Sequence, residues 1–435
     1  MNGKNITHLS LKYLIFITIL FSSCQNKISQ VETTATYGAA AKELMEAVEK
    51  DSTLKSLLVA SIEKAKQLNP DTATNPAQSL DAYYAYISKM EKSVPWTLVR
   101  DSQHPSVFSN IITALCAFYF PIDQPMAQLE SNGCYNNAVE YSKPFASWLT
   151  TFNNSWRRYL DSDSSWNDSY YQIVLKDTAF GLQKNWYESP SNWKTFNQFF
   201  ARQLRSPAAR PIASPDDNSV VCSFADAEPQ GTWAIDGNSN IVDAKGVAVK
   251  SANIKSIEEL LDNSQYKDSF ANGALTHSFL NVNDYHRYHF PTGGVIKEAR
   301  LIQGINPTGG HLSWNSTEKR YAFNPSAPDW QMLETRGLVI LETDEYGLVA
   351  LLPIGMATVG SVNFIDNIKV GAKVKKGDML GYFLFGGSDF IMLFQNKVQF
   401  TLDAPKAAGN GAYQHLLMGE RLGRLTKRKA GKAHM

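Results

Sequence analysis

Three short stretches hold residues that could do chemistry. The first is Phe385-Gly386-Gly387-Ser388, followed by Asp389 and the apolar run from Phe390 to Phe394. Two glycines before a serine allow backbone conformations that a side chain forbids, and they let the hydroxyl close on the carbonyl preceding it. By itself the string also suits a tight turn between two strands. The second stretch is NDYHRYHFP, Asn283 to Pro291, with Asp284, His286 and His289. Two imidazoles three residues apart can ligate a metal, lie on a surface or move protons, because histidine titrates near neutral pH. No third ligand is signalled, so no metal site is expected. The third is Ser223-Phe224-Ala225-Asp226, after Val220 and Val221. An acid that ends a strand can orient a histidine, or simply make a turn.

The elements that must hold these residues change character along the chain. Leu44, Val48, Leu54, Leu57, Leu58 and Ile62 recur at threes and fours, which predicts a helical stretch from Gly38 to about Lys66. Asn69, Pro70 and the residues to Pro76 break it. Further helices are expected at Leu80–Met90, Val107–Phe120 and Pro144–Leu160. WKTFNQFFARQL, Trp193 to Leu204, reads as another, with Trp193, Phe196, Phe200 and Leu204 on one face. Beyond Pro207 and Pro211, short β-branched runs alternate with Gly, Asn, Asp and Pro, as at Ser219–Ser223, Gly337–Leu341, Leu348–Pro353, Thr358–Phe364 and Phe390–Phe394. The expected fold class is α+β. A mostly helical N-terminal domain covers 38–190 and a β-rich domain covers 191–415. Residues 416–435 read as a frayed basic tail, with Arg421, Arg424, Lys427, Arg428, Lys429 and Lys432, suited to anionic headgroups.

The start of the chain concerns address. Lys4 and Lys12 precede the apolar run Leu14 to Phe21, too short to span a bilayer. Ser22, Ser23 and Cys24 follow. This is similar to a bacterial lipoprotein leader over 1–23, with Cys24 acylated, although Phe21 stands where that motif prefers Leu. Residues 24–37 then form a linker. A membrane-anchored protein of the cell envelope, facing out of the cytoplasm, is expected. The formal net charge of +1 gives no reason to expect nucleic acid as a partner. Four cysteines without a CxxC, one of them spent on lipid, leave room for at most one disulfide; Cys116, in IITALCAFYF, reads as a buried thiol.

Taken in order, the segments from Phe196 to Phe394 resemble the phosphatidylserine decarboxylase family. They are FNQFFARQLRSPAARPI, Asp226 after its strand, Lys245-Gly246 with Leu260 and Leu261, DYHRYHFPTGG, Asn306-Pro307, ATVGSV, and KVGAKVKKGDMLGYFLFGGS. The resemblance makes 191–415 the catalytic domain. It implies that Asp226 orients His289, that His289 takes the proton of Ser388 Oγ, and that the oxygen attacks the Gly387 carbonyl. The resulting ester eliminates to a dehydroalanine, which hydrolyses to a pyruvoyl group and ammonia. The products are a chain ending at Gly387, with Gly386 in support, and a small partner chain, 388–435, carrying the pyruvoyl cofactor made from Ser388. The ketone of that group takes up a substrate amine and accepts the electrons released with CO2. His286 then protonates the carbanion, and Asp284 tunes the histidine pair. Ser388 should lie at a strand-to-strand turn facing His289 and Asp226.

Two positions depart from the family: Asp389 stands where Thr or Ser is usual, and Ala227 where Gly is usual. Either could disable processing, leaving a binding protein on the same fold. The implied substrate is phosphatidylserine. The rival is a free L-amino acid such as tryptophan, because DSQHP (Asp101 to Pro105) and FPIDQPM (Phe120 to Met126) resemble a domain fused to family members that act on free aromatic amino acids. Residues 366–383 are also similar to the hammerhead turn of lipoyl carriers, but the carriers' modifiable lysine is missing.

Overall fold

Helices dominate until about residue 200 because apolar residues fall on single faces. A computed structural model describes residues 37–100, 102–130, 137–242, 256–328, 330–358, 362–409 and 411–428. The leader, Cys24, nearly all of the linker and Lys245-Gly246 lie outside the described residues. Helices α1 (Ala39–Lys50) and α2 (Ser52–Leu68) replace the single stretch expected there. The break is Asp51, whose carboxylate accepts from the Thr53 and Leu54 amides and caps α2. Then come α3 (Leu80–Met90), α4 (Val107–Tyr119), α5 (Ala127–Glu130), α6 (Lys143–Leu160), α7 (Asp168–Leu175) and α8 (Phe196–Phe200), with α9 (Ile257–Leu260) in the β-rich part.

The expected helix from Trp193 to Leu204 is a correction. Only Phe196–Phe200 is α-helical, capped by Thr195 Oγ on the Gln198 amide. After it the chain turns extended, Leu204 bridges Tyr187, and the Arg202 guanidinium is drawn to the Asn283 and Asp284 carbonyls. Charge-assisted bonds to two buried carbonyls outweigh one more helical turn.

The strands are β1 (Val220–Cys222), β2 (Glu228–Ile235), β3 (Ile241–Val242), β4 (Ala274–Leu280), β5 (Arg287–His289), β6 (Gly294–Ile302), β7 (His311–Asn315), β8 (Arg320–Asn324), β9 (Thr335–Thr343), β10 (Gly347–Met356), β11 (Val362–Phe364), β12 (Lys373–Val374), β13 (Met379–Phe383), β14 (Gly387–Phe394), β15 (Val398–Leu402) and β16 (Arg421–Lys427). The main sheet runs β12-β6-β9-β10-β14-β4-β2-β3 and is antiparallel throughout. Its two faces bury separate clusters: Phe390, Met392 and Phe394 of β14 enter one, Ile391 and Leu393 the other. A small sheet, β11-β13-β5, carries the histidine segment. The helical core does not stop at the β-rich part; it continues into Val282, Tyr285, Phe385 and Met418.

The basic tail is also corrected over 416–428. Arg421–Lys427 forms β16, which sits between β1 and β15. Leu422 and Leu425 are buried. Arg421 pairs with Asp403 and Lys427 with Glu345, so acids far away in sequence meet charges that look unopposed locally. Among the described residues, Cys116 and Cys222 are buried and free, and no helix is long and apolar enough to cross a membrane.

Candidate active site

The FGGS segment enters β14 under tight backbone control. Gly386 adopts φ of 149°, which side chains disfavour. Gly387 pairs with Met356, and a Cβ added to Gly387 would lie 2.7 Å from Met356 Cγ. Ser388 is therefore the second residue of a central strand, just past the turn, and fully buried. Its Oγ has no hydrogen-bond partner. An unpaired buried hydroxyl costs about 1–3 kcal/mol, so its presence here calls for a reason.

Asp389 does not crowd the Gly387–Ser388 bond. Strand alternation turns its side chain to the opposite face of the sheet from Ser388. There it meets His277 Nδ1 at 2.9 Å, and His277 stacks on Trp233. Burial raises the Asp389 pKa, with His277 opposing. Ala227 is likewise engaged by backbone: its N–H and carbonyl both pair with Leu416 at 2.9 Å.

His286 and the FGGS turn rest on one aromatic platform. The His286 ring stacks on Phe200 at 3.9 Å between centroids, and Phe385 packs edge-on to Phe200 at 5.3 Å. Asn197 Oδ1 accepts from the Phe385 amide, and the Phe383 amide donates to the His286 carbonyl. The His286 Nε2–H donates to the Asn281 carbonyl at 3.0 Å. Its Nδ1 is buried and unpartnered. Burial, and then the Arg202 charge, push the His286 pKa down to about 3. His286 is thus a neutral imidazole with a free lone pair, not a ready proton donor.

The contacts expected of Asp226, His289 and Ser388 are not made. Asp226 forms a buried, two-armed pair with Arg210, at 2.9 and 2.5 Å, and accepts from the Met418 amide. A buried carboxylate needs a full countercharge, which a neutral imidazole does not supply. His289 donates from Nδ1 to the Gly377 carbonyl at 2.9 Å and accepts at Nε2 from the Tyr285 hydroxyl at 3.0 Å. Its pKa is pushed down to about 4, chiefly by burial, while the Gly377 carbonyl and the Asp226 charge oppose. The segments are nonetheless adjacent, since the His289 amide donates to the Phe224 carbonyl at 2.7 Å. Asp284 is buried and meets His415 Nε2 at 2.9 Å. Arg210, Tyr285, Arg202 and His415 were not singled out from sequence. Arg202, Arg210 and Tyr285 lie inside quoted motifs, but nothing local marks His415.

A cavity of about 490 Å³ reaches Gly387. Its walls include Ile112, Cys116 and Tyr119 of α4, Phe279 of β4, Val282 and Gly387 itself. Among the described residues no group of three or more His, Cys, Asp or Glu is placed to hold a metal.

With this geometry in view, the comparison with known proteins is direct. Residues 196–424, just over half of the chain, match the family model for phosphatidylserine decarboxylase. The chain belongs to the phosphatidylserine decarboxylase family. It is 31% identical over 245 residues to phosphatidylserine decarboxylase proenzyme 2 of rice, Oryza sativa, covering 55% of this chain and 35% of that protein. It is 32% identical over 246 residues to proenzyme 3 of Schizosaccharomyces pombe, covering 56% of this chain and 23% of that one. With the phosphatidylserine decarboxylase proenzyme of Chlamydia caviae it shares 31% identity over 242 residues, covering 55% and 74% respectively. The match thus spans about a third of the rice protein's length and about a quarter of the fission-yeast protein's. The region matched by the family model holds Asp226, Asp284, His286, His289, Gly387, Ser388 and His415; helices α1 to α7 lie outside it.

Proposed function

We propose that this chain is a proenzyme that cuts itself between Gly387 and Ser388 and then removes the carboxylate of an amino-acid head group as CO2, with phosphatidylserine as substrate and phosphatidylethanolamine as product. The observation that carries the reading is the Gly387–Ser388 junction itself: a buried, unpartnered serine hydroxyl directly after Gly387, with Gly387 on the wall of a cavity. The names of the relatives, phosphatidylserine decarboxylase proenzymes, supply the substrate.

In the cutting step Ser388 Oγ attacks the Gly387 carbonyl. His289, neutral above about pH 4, accepts its proton at Nε2, the nitrogen now facing Tyr285. The Asp226 carboxylate, fixed by Arg210, favours the imidazolium that forms. The C–N bond breaks as the ester forms; elimination then frees the Gly387 carboxylate, and water releases ammonia. The pyruvoyl group left at 388 supplies an electron sink for decarboxylation. The site fits it, because the Ser388 side chain has no competing partner and Gly387 borders the cavity. His286 exchanges a proton at Nδ1 during turnover, while its Nε2–H stays on the Asn281 carbonyl.

A second substrate reading has its own support. Helix α4 walls a cavity of about 490 Å³, a volume typical of sites for compact ligands, about 300–1,000 Å³. A free amino acid enters such a space whole; a diacyl lipid leaves its chains outside. Anchoring through an acylated Cys24 in the cell envelope, proposed from the leader pattern, places the site near lipid and favours phosphatidylserine.

The test is an intact mass of the chain beginning at Cys24, beside Ser388→Ala. A Ser388–Met435 fragment, lighter than simple hydrolysis gives by the mass of ammonia, supports the proposal. CO2 release from phosphatidylserine vesicles and from free amino acids then separates the substrates. A wild type that stays whole ends the decarboxylase reading.

A further inference from the structure

His415 lies in the small chain, 27 residues after the proposed cut, as the difference between positions 415 and 388. Its side chain is partly exposed, with 39% of its surface accessible. Its Nε2 meets Asp284 Oδ1 at 2.9 Å. The other oxygen of Asp284 accepts from the Asn281 amide at 2.8 Å, and the Asp284 amide donates to the Asn281 carbonyl at 2.9 Å. The carboxylate therefore braces the turn 281–284 from within. The Asn281 carbonyl, in turn, is the acceptor that holds the His286 ring. Asn281 and Val282 also wall the cavity. An unbroken series of hydrogen bonds runs from His415, through Asp284 and Asn281, to His286.

We infer that His415 is a positioning residue for turnover: from the small chain it clamps Asp284, and so fixes the turn that orients His286 and shapes the cavity wall. The inference rests on the decarboxylase reading of this site. Its physical basis is that a carboxylate braces a turn best when its outer oxygen is held, and a histidinium holds it better than water. The clamp also couples the two chains, because Asp284 belongs to the large one. Cutting itself needs Ser388, His289 and Asp226, none of which His415 touches.

Three carboxylates act on His415: Asp284 of the turn, Asp226 after β1 and Glu228 of β2. Glu420 and Arg421 line the same surface hollow. Burial alone would lower the His415 pKa, but the hydrogen bond and charge of Asp284, with Asp226 and Glu228, raise it above the ordinary value. The clamp is therefore charged below that raised value and weakens as pH rises through it.

The experiment uses the full chain with His415→Ala and His415→Gln, the latter keeping a donor. His415→Ala should still be cut, while kcat falls about 10–100-fold. His415→Gln should recover most of that loss and lack the alkaline limb of the wild-type pH profile. Wild-type kcat and profile in His415→Ala would overturn the inference. A second readout needs no activity: in the uncut Ser388→Ala chain, adding His415→Ala should speed hydrogen exchange at the Asn281 and Asp284 amides. Unchanged exchange there would overturn the clamp even if the wild type proves to be a decarboxylase. A wild type that is never cut, with faster exchange in the variant, would end the decarboxylase reading and keep the clamp.

Discussion

Single residues around the proposed Gly387–Ser388 cut are constrained in different ways, and the difference is testable. Gly386 needs its φ of 149°, whereas Gly387 needs space against Met356. Gly387→Ala should therefore be relieved in part by Met356→Ala, because the clash is with a side chain. Gly386→Ala should not be, because the obstacle is backbone strain. The rate of Ser388–Met435 fragment formation, followed by mass, checks this; equal rescue of both variants would show that contact with Met356, not backbone strain, limits both. Asp389 gives a second case. From sequence it stands beside the scissile bond and threatens cutting. The strand's two-residue period sends it through the sheet to His277 instead. Asp389→Ala should then cost about 1–3 kcal/mol of stability by orphaning the buried His277. Its folded fraction should cut like wild type, as urea titration and fragment mass together would reveal. The motif residues were legible as types, but their pairings were not. Nothing in the spacing of Asp226 and His289 says that Arg210 claims the carboxylate, because a countercharge is chosen by folding.

At the scale of elements, α4 is the informative case. Its bounds were readable to within a residue because Ser106 caps its start, accepting from the Ser109 amide, and its apolar residues are continuous. That its Ile112 and Cys116 form a wall of the cavity at Gly387 was not readable, since this depends on where the helix packs. The wall predicts a separation of functions. Ile112→Trp fills the cavity at an overpacking cost of about 1–3 kcal/mol. Cutting, which needs no bound substrate, should persist, while CO2 release falls to background. Retained release with phosphatidylserine vesicles would show that substrate enters elsewhere. Elements whose ends are set by partners distant in sequence were the ones misread. Helix α8 stops because Arg202 turns to the Asn283 and Asp284 carbonyls. Likewise β16 is a strand because β1 and β15 flank it, not because of its basic composition. Alternation in β14, with both faces apolar, hides in sequence as a plain hydrophobic run.

At the scale of the whole molecule, the proposed cut and the buried histidines each make a prediction. After cutting, β14 remains between β10 and β4, and β16 between β1 and β15, so the fragments should co-elute under native conditions. The uncut Ser388→Ala chain isolates the proton linkage from this association. His286 and His289 have pKa values near 3 and 4 in the folded state, against an ordinary 6.5. Between about pH 6.5 and 4 the unfolded chain binds protons that the folded chain refuses. The stability these histidines confer is thus complete above 6.5 and is lost as pH falls through the folded values. Each contributes a slope of up to about 1.4 kcal/mol per pH unit. His415 acts in the opposite sense, adding stability that is lost as pH rises through its raised value. The buried carboxyls Asp284, Asp389, Glu140 and Glu334, all raised by burial, also oppose the acid loss. Comparison with His286→Gln removes these shared terms and leaves one histidine's share. Denaturant midpoints for the two chains should converge as pH falls from 6.5 towards 4, because only the chain with His286 pays for that proton. Parallel curves would mean that His286 is not held neutral, and that it is a ready proton donor before the chain is cut.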